Sequence, residues 1–228
     1  VRADAANPQL DALTWQRPKR HAWVMNHPCF APVTRTLGRW LISTMAALLF
    51  AGVGARAGAA ELDEAALLKR MAQGGVVLMM RHAQTVSGIG DPPGFNLAQC
   101  ATQRNLDARG RDQARALGVR LRAAGIRPTR VLSSAWCRCK DTAALAFGEP
   151  TVLPDLNSFF EDRRTEPAQT AALRTRLAQL AASEIEVWVT HQVNIQALTG
   201  VSPAMGETVV LAAGQPVRVL GRLTQTFP

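Results

Sequence analysis

The chain has 228 residues, of which 47% are hydrophobic and 19% charged. That is enough apolar material for one well-buried core, and it excludes collagen, a coiled coil and an intrinsically disordered chain. The net charge of +9 is uneven: residues 1–59 hold seven Lys or Arg against two Asp or Glu, and residues 60–228 hold nineteen against fifteen. There is no run of basic residues, no Tyr, and no aromatic interleaving among the arginines, so the basic balance gives no case for nucleic acid as a partner. A span of ~20 apolar residues is also missing, so no integral membrane segment is expected.

In chain order, residues 1–34 contain four prolines and no periodicity, and read as an over-long predicted start or a disordered leader rather than a domain. Residues 35–60 read as a signal peptide. Arg35 and Arg39 precede an uncharged apolar run, Trp40–Val53, and the small residues Ala55–Ala60 follow it. Cleavage after Ala57, Ala59 or Ala60 would place the mature protein in the periplasm or outside the cell. The competing reading of the apolar run is a buried core helix.

From Glu61 the pattern alternates. Leu62–Gln73 predicts an amphipathic helix ended by Gly74-Gly75, and Val76–Met80 a strand covered on both faces. After the Gly/Pro-rich loop Ser87–Phe95, Asp107 is the expected N-cap of a helix carrying Ala114, Leu117, Leu121 and Ala124 on one face. Val131-Leu132 is a short strand, Trp136–Phe147 a helix, Ala168–Ala182 a helix and Val187–Val189 a second buried strand. A helix from Val193 and closing strands at Thr208–Leu211 and Val217–Leu220 complete the reading. The expected fold class is α/β: a single three-layer domain over 61–228, its central sheet mostly parallel, with helices on both faces.

Ligands of such sheets collect beyond the carboxyl ends of the strands. Three polar clusters fall there: Arg81-His82 after the first strand, Ser133-Ser134 with Arg138 after the second, and Thr190-His191 after the buried strand Val187–Val189. Any one of them alone reads best as a surface pair or a strand end. Together they place two arginines and two histidines at one edge, a seat for a dianion such as phosphate. His82 and His191 have no carboxylate or Cys at a recognised ligand spacing, so no metal site is expected.

These clusters carry a resemblance. Arg81-His82-Ala83-Gln84-Thr85 resembles the R-H-G/A-x-T signature of the histidine phosphatase superfamily, also called phosphoglycerate-mutase-like. The segment Leu106–Ala114 is similar to that family's L-[ST]-x-x-G-x-x-Q-A helix start, Ser133–Ala143 to its S-S-x-x-x-R-x-x-x-T-A segment, and Thr190–Ile195 to its closing T/S-H-x-x-x-I. The resemblance implies a phosphoglycerate-mutase-like fold and an esterase in which His82 attacks phosphorus, while Arg81, Arg138 and His191 hold the phosphoryl oxygens, without a cofactor. Cys100–Leu106 is similar to the branch that includes the periplasmic lipopolysaccharide core heptose phosphate phosphatase. A small-molecule or envelope-glycolipid phosphomonoester is the substrate this implies. A catalytically silent phosphate-binding module and a protein-phosphohistidine phosphatase are the alternative functions.

The family's usual proton donors are missing: Gln192 follows His191, and Ser158 follows Leu156-Asn157. Glu161 is the expected general acid, on the argument that Phe159-Phe160 anchor and desolvate its loop; Asp162, Glu207 and Asp91 are weaker candidates. Of the cysteines, Cys100 is expected to pair with Cys137 or Cys139, against the alternative of three ordinary buried thiols.

Overall fold

The computed structural model describes residues 61–224. The expected leader and signal peptide lie outside these residues. The continuous apolar run after Gly75 becomes β1 (Val76–Arg81), and alternate residues of it enter two different cores. Val76, Leu78 and Met80 face one cluster, and Val77 and Met79 the other. A strand with both faces apolar belongs in the middle of a covered sheet, and β1 lies there.

The other strands are β2 (Arg130–Ser133), β3 (Thr151–Val152), β4 (Ile185–Thr190), β5 (Thr208–Ala212) and β6 (Arg218–Leu223). Their order is β3-β2-β4-β1-β5-β6. The first four run parallel, while β5 is antiparallel to β1 and β6 to β5. The sheet is therefore mostly parallel, with a closing antiparallel hairpin. β3, two residues at an exposed edge, carries too little pattern to be read from the sequence.

Helices α1 (Glu64–Met71), α2 (Ala108–Ala123) and α3 (Cys137–Phe147) pack through Leu67, Met71, Leu117, Leu121 and Ala143 onto one face. Helices α4 (Glu166–Gln179) and α5 (Gln192–Thr199) cover the other through Leu173, Leu177, Ile195 and Leu198. This is the expected three-layer arrangement. Asp63 caps α1 by accepting the Ala66 amide, so the helix starts two residues later than the apolar pattern suggests. α4 starts and ends earlier than expected. Pro167 suits its first turn, and the Glu184 carboxylate accepts the Ala181 amide just past its end. No helix among the described residues is long and apolar enough to cross a membrane.

Candidate active site

The parallel register pairs Arg81 with Thr190 across β1 and β4, and Ser133 with Val189 across β2 and β4. Three adjacent strands thus deliver His82, His191 and Ser134 to one edge. The two imidazoles meet edge to face with centroids 5.6 Å apart, at 3% and 4% exposure.

His82 Nδ1 lies 2.9 Å from the Ala83 carbonyl. A carbonyl only accepts, so Nδ1 carries the proton and Nε2 keeps its lone pair. Burial, and then the Arg138 guanidinium, pushes the ring down to about 3, so it is neutral at pH 7. The Ala83 amide donates to Thr142 Oγ1 at 3.0 Å, fixing the turn after β1 from α3. On the facing strand, His191 Nε2 is 2.8 Å from Ser134 Oγ and 3.5 Å from Cys139 Sγ. Burial holds His191 well below its ordinary value, helped by His82, Arg138 and Arg81.

Arg138 sits buried in the first turn of α3, and Arg81 ends β1 with its Nη1 donating to the Pro203 carbonyl at 2.9 Å. Each has a buried Nε–H with no acceptor among the described residues. Such donors are costly to leave unmade, and an oxyanion satisfies them. A third guanidinium, Arg104, donates to the Gly90 carbonyl at 2.8 Å and to Thr85 Oγ1. Sequence reasoning gave Arg104 no role, although it lies inside the segment Cys100–Leu106; its place two residues before the Leu106-Asp107 helix start is the signal that was available. All three arginines and both histidines line one cavity of about 540 Å³.

The carboxylates divide. Glu161 lines the cavity with Ser158, Phe160, Asp162 and Arg163, so the loop after Asn157 does overhang it. Phe159 is buried, but Phe160 and Glu161 are exposed, and the desolvation expected for Glu161 is not found. Its Oε1 lies close to Gly90 across the opening. Asp162 is tied to Arg164 at 2.6 Å, which holds its carboxyl down at about 2. Glu207 accepts the Ala204 amide at 2.8 Å and faces Arg222, and it does not line the cavity. Asp91 lines it but accepts from Arg138 at 2.7 Å, from the Arg104 amide at 2.9 Å and from Trp136 Nε1 at 3.0 Å. Burial alone would raise the Asp91 carboxyl; these donors outweigh it and hold the group below the usual range, ionised. An ionised carboxylate with three donors has no proton to give.

Residues outside the lining fix the backbone next to it. Gln113 Oε1 accepts the Gln84 amide at 2.9 Å, and its Nε2 donates to the Met205 carbonyl at 3.0 Å. Gly110 lets α2 approach the Gln84 carbonyl, which any Cβ there would overlap. Asn157 Oδ1 accepts the Ala135 amide at 2.8 Å, so the residue before Ser158 organises the turn that leads into α3. Cys100 and Cys137 form a disulfide, Cα atoms 5.6 Å apart, which resolves the pairing left open between Cys137 and Cys139. Cys139 is a buried free thiol pushed up to about 12 by burial. Among the described residues, no three His, Cys, Asp or Glu side chains cluster to hold a metal ion.

No curated protein matches the chain significantly. Solved structures do. TTHB049 from Thermus thermophilus is 22% identical with a TM-score of 0.45, over 66% of this chain and 99% of that one. The protein histidine phosphatase SixA, solved with tungstate, is 16% identical with a TM-score of 0.48, over 65% of this chain and 96% of that one. Residues 77–160 match the family model described as histidine phosphatase superfamily (branch 1).

Proposed function

We propose that the protein is a metal-independent phosphomonoesterase that works through a phosphohistidine on His82. The observation that carries this reading is the state of His82. Its ring is neutral, its Nδ1 proton is committed to Ala83, and its lone pair on Nε2 borders a cavity holding three guanidiniums. In the first step Nε2 attacks phosphorus, the P–N bond forms and the P–O bond to the leaving group breaks with its electron pair on oxygen. Glu161 is the proposed donor of the proton that oxygen takes and that leaves with the alcohol; at the open side of the cavity it regains a proton from the water that attacks next. Water then attacks phosphorus, the P–N bond breaks, and orthophosphate leaves. Arg81, Arg138 and His191 hold the equatorial oxygens as charge spreads over them.

An exported enzyme acting on cell-envelope phosphate is the finer form of the proposal. It is supported by the disulfide, which forms in oxidising compartments, and by the signal-peptide pattern of residues 35–60. The reaction is tested by mixing enzyme with a ³²P-labelled phosphomonoester and quenching. An acid-labile, base-stable phosphoprotein is expected, absent in His82→Ala and formed at the same rate with or without chelator. Phosphoprotein that persists in His82→Ala would overturn the assignment.

A further inference from the structure

The loop Ser87–Phe95 carries one carboxylate into the cavity, and all the partners of that carboxylate are groups of the anion seat or its wall. Asp91 Oδ1 accepts from Arg138 Nη1 at 2.7 Å and from the Arg104 amide at 2.9 Å, and Oδ2 accepts from Trp136 Nε1 at 3.0 Å. The Asp91 and Arg138 side chains are 4% and 5% exposed, so the pair is shielded from water. Arg104 closes the ring by donating to the Gly90 carbonyl. The loop is fastened on its far side as well: Cys100 is bonded to Cys137, and Gln103 Oε1 accepts the Cys137 amide at 2.9 Å. Every one of these ties ends on Trp136, Cys137, Arg138 or Arg104.

From this geometry, and resting on the phosphoesterase reading above, we infer that Asp91 is a positioning residue. It aims the Arg138 guanidinium at the phosphoryl group and sets the charge of the seat to match a phosphomonoester dianion. Two consequences are separable. One is geometric: a long buried Arg with one terminal nitrogen fixed by a carboxylate keeps its remaining donors in one orientation. The other is electrostatic. Arg81, Arg104 and Arg138 against Asp91 make three positive charges and one negative, a net +2 beside two neutral imidazoles. A dianion neutralises that seat; a phosphodiester monoanion does not. On the opposite loop at the mouth, Asp162 is neutralised by Arg164 and Arg163 by Glu166, while Glu161 is exposed to solvent and stands outside the buried groups counted here.

The test uses the full chain with its disulfide formed. Orthophosphate binding is measured by calorimetry, and turnover on p-nitrophenyl phosphate, for wild type, Asp91→Asn and Asp91→Glu. For Asp91→Asn we expect kcat to fall about tenfold or more while orthophosphate binds severalfold tighter, because aim is lost and net charge rises. For Asp91→Glu the charge is kept and the length is wrong, so orthophosphate affinity should return to the wild-type value with kcat still low. Unchanged kcat in both variants overturns the positioning role, and so does a rise in kcat with tighter binding, which would mark Asp91 as an anion that obstructs the seat. Weaker orthophosphate binding in Asp91→Asn, with its melting temperature held, overturns the charge-matching role. The phosphoesterase reading fails separately, through a wild-type protein that neither turns over a phosphoester nor binds orthophosphate.

Discussion

Replacing His82 by Gln should make the protein less sensitive to acid. In the folded chain burial and Arg138 push the His82 ring down to about 3, whereas an unfolded histidine titrates near ~6.5. The folded value is the lower one, so between these limits the unfolded state binds the extra proton. The contribution of neutral His82 to stability is therefore complete above the unfolded value and is lost as pH falls from there toward the folded one. At pH 4 the difference is roughly 2.5 pH units at ~1.4 kcal/mol each, or about 3 kcal/mol. The glutamine variant has no such proton to take up. Denaturant melts at pH 7 and pH 4 should show wild type losing about 3 kcal/mol more than the variant, out of a total of about ten for a domain of this kind. Asp91 and Glu186 contribute their own acid sensitivity to both proteins, and the comparison subtracts it; His191 touches His82 and is held down partly by it, so that share of its acid sensitivity leaves with His82. The His82 ring resonance should also stay flat down to pH 4. Equal acid sensitivity of the two proteins, or a ring titrating near ~6.5, would refute the reasoning. For catalysis the corollary is that the acid limb of kcat/KM follows the substrate's second ionisation, at roughly pH 6, and not the nucleophile.

Three further outcomes are expected. Glu161→Gln should slow alkyl phosphates by roughly a hundredfold while barely affecting p-nitrophenyl phosphate, whose leaving group needs little proton assistance; equal losses on both remove Glu161 as the donor. Glu186, 1% exposed, accepts from Arg176 through both oxygens at 2.7 Å and from Trp188 Nε1 at 2.8 Å. Its replacement by Ala leaves the buried indole unpaired and should cost about 3 kcal/mol, seen calorimetrically as a melting point lower by roughly 6–12 °C. Mass spectrometry of protein recovered from the native envelope should find an N-terminus between Gly58 and Glu61, and an intact cytoplasmic chain would refute export.

How much of this was legible in the sequence depends on the range of the interaction. His82 and His191 stand directly after apolar runs that read as buried strands, so their common edge follows from local pattern plus the handedness of parallel connections. The Arg138–Asp91 pair joins residues 47 positions apart, and no periodicity reports such a meeting; a Cys100 disulfide was expected, but the sequence did not choose between Cys137 and Cys139. Asp91 illustrates the cost. In a Gly/Pro loop it read as one spare acid among several, because its three donors come from Arg104, Trp136 and Arg138. The opposite error touched Glu161, whose desolvation was inferred from two neighbouring phenylalanines, only one of which turns inward. Adjacent residues in a loop need not share a side, and sequence alone does not say which one is buried.

The pairing of Arg81 with Thr190 places both histidines one residue beyond hydrogen-bonded partners on the two central strands. Their separation is therefore ruled by the backbone ladder, the part of the molecule whose amides should exchange with solvent only on global unfolding. The walls opposite each other across the cavity come instead from Ser87–Phe95 and Asn157–Glu166, loop segments that lie outside that ladder. Changes of sequence in those two loops can alter what fits beside the phosphate while the spacing of the imidazoles stays where the ladder sets it. Redesign of substrate range in this protein thus has a natural boundary, drawn at the last residues of β1 and β4.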